Sequence, residues 1–252
     1  MNARPVKIGT RTIAVADDQP TFWEKVAAGA WEPGTLAVID RFVDEDTAFL
    51  DLGAWVGPTA LYAAGRANRV IAVEADPAAL DQLRRNLGAN PELASRIEVI
   101  ARAVHADPGV ITLGARRKPG DSMSSTLLAG TARRWHAATV TPEELVSRLD
   151  VTERLFVKLD IEGGEYALLP AAAALIARAE TVLVSFHPAI LAQTIPDTRD
   201  AARRLRDAVR PLAGFTARPL TERGAGWRSP APMLVRLGLL GRLPANEWLF
   251  TR

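Results

Sequence analysis

The chain contains no cysteine. Disulfides, thiolate metal sites and a cysteine nucleophile are thereby excluded, and a reducing compartment is permitted. Long apolar runs are also missing. The longest, ALLPAAAALIA at 167–177, is too short to cross a bilayer and is interrupted by Pro170. Lysine is scarce: every basic residue is arginine except Lys7, Lys25, Lys118 and Lys158. No basic block results and the formal net charge is only +2, so neither nucleic acid nor membrane is expected as a partner. The opening residues MNARPVKIGTRTIAV lack the apolar core of a secretory signal, and a cytoplasmic location is expected.

What is present is a chain of 252 residues, 48% of them hydrophobic, which suits one α/β domain with appendages. Residues 1–46 read as an N-terminal extension, with a short strand at RTIAVA and two short helices, the second starting near Pro33. From 47 to 252 the pattern changes. TAFLDLG, RVIAVEA, RIEVIARAV, RLFVKLD and TVLVSFH are short β-rich runs separated by helical segments. Asp76 and Pro77 predict one helix start, and a single helix is expected over 165–179. Such alternation marks a parallel sheet covered on both faces. Two segments break it. Residues 107–140 suggest a strand pair carrying the Ser/Gly loop GDSMSST, with Ser122, Ser124 and Ser125. Residues 221–245 include the apolar PMLVRLGLLGRLP, which suits buried packing, a substrate lid or the surface of a homo-oligomer. The last strands, GFTARPL and EWLFTR, form a hairpin-like pair around that excursion.

FLDLGAWVG ends the first core strand. In a doubly wound sheet, ligands bind beyond the carboxyl ends of the strands, and glycines there let the backbone approach closely. Asp51, Gly53 and Gly57 stand in that loop with Ala54 and Trp55, and Pro58 opens the next helix. Glu74 ends the following strand, at the spacing of an acid that binds ribose hydroxyls. The dinucleotide fingerprint G-x-G-x-x-G is missing, because Trp55 takes the place of its middle glycine. A cofactor with a ribose, no pyrophosphate and a cationic end fits better, and S-adenosyl-L-methionine (SAM) has these parts. Trp55 facing a sulfonium adds ~0.5–2 kcal/mol of cation–π attraction. Ala75 and Val104 complete the candidate cofactor set.

LFVKLDIEGGEY, at 155–166, places a lysine and three carboxylates around a buried-looking strand. Lys158 and Asp160 share one side of it and can pair. Asp160 closes the strand at the ligand edge, Glu162 sits in the turn, and Glu165 falls in the first helical turn, where the helix dipole favours an acid. His187, ending the neighbouring strand, is the candidate general base, with Asp160, Glu162 and Lys158 beside it. His105 and His136 are weaker candidates. Asp160 and His187, with Glu162, also suit a divalent cation such as Mg²⁺.

Together these motifs resemble the FkbM-type SAM-dependent methyltransferases of the class I fold. FLDLGAWVG is similar to the family's D-x-G-A-N-x-G, VIAVEADP to V-x-A-x-E-P-x-P, and FVKLDIEGGEYALL to I-K-x-D-x-E-G-x-E-x-x-V-L. Trp55 replaces the usual Asn, Ala75 the first proline, and Ser185 a common Glu. The resemblance implies a doubly wound, mostly parallel seven-stranded Rossmann-like sheet with an antiparallel last strand. It also implies methyl transfer to a hydroxyl of a small-molecule or glycan acceptor. An NAD(P)-dependent oxidoreductase on a related sheet and a non-catalytic SAM-binding protein are the alternatives.

Overall fold

Between β-rich segments at its start and in its middle, the described chain alternates helices with apolar strands, and this order decides the architecture. In a computed structural model, residues 3–16, 18–115, 117–121, 124–187, 190, 195, 197–220 and 247–252 are described. The 221–245 stretch and Ser122 of the Ser/Gly loop lie outside the described residues.

The N-terminal segment forms an antiparallel hairpin, β1 (Ala3–Ile8) and β2 (Arg11–Ala16), followed by α1 (Pro20–Ala27) and α2 (Pro33–Phe42). Both helices start on a proline, whose missing N–H costs nothing in a first turn. The core then runs through β3 (Thr47–Leu52), α3 (Pro58–Ala64), β4 (Arg69–Glu74), α4 (Pro77–Gly88), α5 (Pro91–Ala94) and β5 (Ile97–Ala101). Asp76 caps α4, accepting from the Ala78 and Ala79 N–H groups. A small sheet follows from β6 (Ala103–Val104), β7 (Val110–Ala115), β8 (Ser124–Ser125) and β9 (Arg134–Val140). The chain closes with α6 (Pro142–Val146), β10 (Arg154–Leu159), α7 (Glu165–Ala171), α8 (Ala173–Arg178), β11 (Thr181–Ser185), α9 (Thr198–Val209), β12 (Thr216–Pro219) and β13 (Glu247–Thr251).

The main sheet has seven strands in the order β12-β13-β11-β10-β3-β4-β5. β3, β4, β5, β10 and β11 are parallel, and β13 runs antiparallel to both of its neighbours. This is the expected doubly wound α/β sheet. β3 is buried at every position, as a central strand covered on both faces must be. Chain order reverses between β3 and β10, and the functional loops lie at the carboxyl ends of these two strands.

Three expectations change. β1 is an additional strand, RIEVIARAV is divided into β5 and β6, which join different sheets, and the helix expected over 165–179 is divided at Ala172. Pro170 lies inside α7 and has no N–H to continue the ladder. The N-terminal segment shares a core with the sheet: Val6, Ile13, Trp23 and Leu36 belong to the same buried cluster as Phe49, Leu61 and Val70. Asn86 and Asn90 of the α4 region also bind the β2 backbone, accepting from the Ala16 and Ala14 N–H groups.

Candidate active site

β3 delivers its chain to the switch point and must turn sharply there. Gly53 has φ +86°, and a Cβ on it would fall 1.9 Å from the Asp160 carbonyl oxygen, so only glycine lets β3 and β10 meet this closely. Gly57 has φ +88° and precedes α3, where a Cβ would strike Leu83 at 2.4 Å. Trp55 between them also adopts a left-handed φ of 49°, unusual for a bulky residue. Its backbone N–H donates to Glu74 Oε2 at 2.8 Å. Its indole N–H donates to the Gly120 carbonyl at 3.1 Å and its rings meet Phe22 edge-on, so the side chain ties the 107–140 insertion to the cofactor loop.

Glu74 accepts two further backbone bonds on Oε1, from Ala75 at 2.8 Å and Asp76 at 2.7 Å. A carboxylate offers about four lone-pair sites, so roughly one is left for a hydroxyl. Burial raises its pKa despite these donors. Glu74 lines a cavity of about 1450 Å³ together with Gly53, Ala54, Trp55, Ala75 and Val104. Asp51 and Gly57, placed with them in the sequence, do not line it. Asp51 is fully buried beneath: Oδ2 accepts from Thr59 Oγ1 at 2.6 Å, and Oδ1 lies 3.2 Å from Lys158 Nζ. It stands directly opposite Lys158 across the β3–β10 ladder, which aims it at the lysine rather than the cavity. Lys158 also lies 3.7 Å from Asp160 Oδ2. Burial opposes the lysine charge, but Asp51 and Asp160 outweigh it and raise its pKa.

At the other end of the cavity, Asp160, Glu162 and His187 converge. Their ligand atoms, one carboxylate oxygen each and a ring nitrogen, all lie within 4.8 Å of one another. His187 Nε2 is 3.3 Å from Glu162 Oε2 and 3.6 Å from Asp160 Oδ1. Those two oxygens are buried and have no hydrogen-bond partner. Glu162 is held at φ 52°, in the left-handed region. Glu165 does more than meet a helix dipole. It is fully buried, accepts from the His187 and Gly163 N–H groups at 2.7 and 2.8 Å, and sits 3.2 Å from His187 Nδ1. Burial disfavours a charged imidazole, but the Glu165 hydrogen bond and the surrounding carboxylates push His187 up to about 9. Burial, opposed by His187 and reinforced by Asp160, pushes Glu162 up to about 7. Without a bound cation, His187 therefore carries its proton at neutral pH and cannot accept another there.

Two cavity acids went unnoticed in the sequence. Glu32 precedes α2 with φ 40°, and its Oε2 is buried without a partner. Burial, with Asp160 nearby, pushes it up to about 8. Glu247 opens β13 and accepts from Thr35 Oγ1 at 3.1 Å. It pairs directly with Ser185 across the β11–β13 ladder, and both line the cavity. A carboxylate from the neighbouring strand therefore stands beside Ser185 at the cavity. Neither acid lies in a recognisable motif. His105 lines the cavity beside Val104, whereas His136 faces Thr112 on the insertion and stays outside it.

The strand order and the position of this cavity define a class I methyltransferase sheet. Residues 51–208, well over half the chain, match the Methyltransferase FkbM domain. The chain belongs to this family of SAM-dependent methyltransferases. Methyltransferase FkbM from Methylobacillus flagellatus is 19% identical with a TM-score of 0.47, and the match covers 94% of this chain and 56% of that one. This chain thus spans little more than half of that protein's length. A Streptococcus mutans protein in complex with SAH is 10% identical with a TM-score of 0.47, covering 86% of this chain and 93% of the other. An rRNA methylase from Streptococcus thermophilus is 11% identical with a TM-score of 0.41, covering 86% and 91%. No curated protein matches the chain. Among the described residues no helix is long and apolar enough to cross a membrane.

Proposed function

We propose that this methyltransferase acts on a hydroxyl group of a small-molecule or glycan acceptor. One observation carries the proposal: two buried carboxylate oxygens that accept no hydrogen bond converge on an anchored imidazole in the same cavity as the loop after β3. An amine attacks through a lone pair it already has, whereas an alcohol must lose a proton near the transition state. A site that gathers proton acceptors therefore suits an alcohol.

The residues fit SAM. Glu74 keeps an acceptor site for a ribose hydroxyl, the Gly53 turn leaves backbone room, and Ala75 and Val104 offer an apolar wall. SAM supplies the activated methyl group. The chain's own residues orient and take protons. One of the two carboxylates, Asp160 or Glu162, takes the single hydroxyl proton as the acceptor oxygen gains the methyl, and His187 holds the pair together as the positive member. Lys158 fixes Asp160 from beneath, with Asp51 balancing its charge. Alignment of the acceptor in this frame is the larger contribution, as in displacements generally. The test is SAH release with a hydroxyl panel, with the product's methyl located by NMR. Asp160→Asn and Glu162→Gln are expected to lower kcat by ~10²-fold or more. Methylation confined to nitrogen or carbon, or unchanged kcat in both variants, refutes the proposal.

A second reading rests on the same cluster with a different emphasis. Glu165 engages His187 Nδ1, and this is how proteins orient the other ring nitrogen toward a metal. Asp160 Oδ1, Glu162 Oε2 and His187 Nε2 would then hold a divalent cation, whose charge makes a nearby hydroxyl more acidic. Calorimetry with Mg²⁺ and Mn²⁺ decides it: binding lost in Asp160→Asn and His187→Ala supports the cation, and no binding at millimolar metal removes it.

A further inference from the structure

Trp55 occupies a backbone conformation that disfavours its bulk. Its φ of 49° lies in the left-handed region, where a large side chain is costly and persists only if its surroundings fix it. Four hydrogen bonds around it close into a ring. The Trp55 backbone N–H donates to Glu74 Oε2 at 2.8 Å, and its indole N–H donates to the Gly120 carbonyl at 3.1 Å. The Gly120 N–H donates to Asp76 Oδ2 at 2.7 Å, and the Asp76 N–H donates to Glu74 Oε1 at 2.7 Å. Asp76 keeps its other oxygen for the α4 cap. Gly120 is buried at φ +83°, so near α4 that a Cβ on it would stand 3.1 Å from Ala78 Cβ. Two further bonds hold the same region. Gln19 donates to the Gly120 carbonyl at 3.3 Å, and the Trp135 indole of β9 donates to the Ala75 carbonyl at 3.2 Å.

The ring joins the loop after β3, the loop after β4 and the insertion. Glu74 is its common acceptor, and Glu74 lines the cavity with roughly one acceptor site left. A carboxylate already held in place loses less freedom when a ligand arrives, so binding is tighter. The insertion brings Ile111, Leu113, Asp121 and Thr126 to the same cavity, and a latched insertion therefore fixes a wall as well as an acid. We propose that Trp55 is a positioning residue for the cofactor: its indole N–H closes this ring, aligning Glu74 for the ribose and latching the 117–121 turn against the loop after β3. The indole thus acts through its N–H, not as a face for the sulfonium. The inference rests on Glu74 as the acid for the ribose and is independent of which acceptor group is methylated.

The experiment is calorimetry on the full chain with SAM and with SAH, which differ by the sulfonium charge. Trp55→Phe keeps an aromatic ring and removes the indole N–H. It is expected to weaken both ligands equally, by ~3-fold to 10-fold, the range of one hydrogen bond. Asp76→Asn keeps an oxygen for the α4 cap and opens the ring at its opposite side, so it tests the same ring should Trp55→Phe fail to fold. A similar loss is expected. The double variant should lose less than the product of the two, because one ring is opened only once. In the unsubstituted chain, SAH should slow amide hydrogen exchange at Gly120 by about the same factor, since coupling between ligand and latch is reciprocal. A larger loss for SAM than for SAH places Trp55 on the sulfonium and overturns the latch. Unchanged affinity in both variants, a double effect equal to or above the product, or unaltered Gly120 exchange overturns it too. If Glu74→Gln weakens SAH while the ring variants do not, the latch fails alone. If none of the three weakens SAH, the cofactor placement fails with it.

Discussion

Replacing Glu32 by glutamine is expected to stabilise the protein, and to do so only as the pH rises. Burial and the neighbouring Asp160 raise Glu32 from its ordinary 4.5 to about 8. The sign follows from linkage. The folded state binds this proton more tightly than the unfolded state, so stability falls as pH climbs from 4.5 toward 8 and is flat beyond. At ~1.4 kcal/mol per pH unit the full loss is at most ~5 kcal/mol. Water entering the cavity that Glu32 lines screens much of the charge, and ~1–2 kcal/mol is a realistic net cost. Glutamine keeps the shape and resembles the protonated acid. The Glu32 side chain makes no capping hydrogen bond, so the change sacrifices none. For a chain of this size ~1 kcal/mol moves Tm by ~2–4 °C. Thermal unfolding followed by circular dichroism should show the two proteins within about 2 °C at pH 5. The variant should be ~3–6 °C more stable at pH 8.5. An equal Tm at both pH values, or a variant less stable at pH 8.5, refutes the claim that Glu32 is an uncompensated buried acid.

Glu74→Gln turns one acceptor into a donor, and SAH affinity by calorimetry is expected to fall ~10-fold or more; unchanged affinity removes Glu74 from the cofactor site. Asp51→Asn leaves Lys158 charged and under-compensated, so chemical denaturation should show ~3–5 kcal/mol of lost stability. Most of that loss should be recovered when Lys158→Met is added, and no recovery means the pair is not coupled. In protein treated with a chelator, NMR should find His187 titrating near 9. Its folded pKa is raised, so the stability it contributes is complete below its ordinary 6.5 and is lost as pH rises through about 9. Glu165→Gln should bring the His187 pKa down toward 6.5, and an unmoved titration shows that Glu165 does not set it.

The parts of the fold legible in the sequence are those whose signals are local. Central parallel strands read as short apolar runs, and Asp76, Pro58 and Pro77 mark the helix starts beside them. The loop after β3 and the Asp160–Glu165 turn could be placed at the sheet's carboxyl edge for the same reason, since each lies at the tip of its own strand. Local reading misplaced Asp51, because spacing reveals that a residue is near a strand end but not which neighbour it faces. Its direct partner, Lys158, is far along the chain and is fixed only by the β3–β10 register. Glu165 was open to a helix-dipole explanation because the histidine it anchors belongs to another strand. Position 185 is the sharpest case. In isolation, serine there looks like a carboxylate lost from the family pattern. Register pairs it with Glu247, and Thr35 of the N-terminal segment then ties that acid to the α2 start, where Glu32 waits without a donor. Residues far apart in the chain thus place acidic side chains from β13 and the start of α2 beside Ser185. Ser185, Glu247 and Glu32 therefore meet at one cavity only through strand register and the packing of the N-terminal segment, which no local motif in the sequence records.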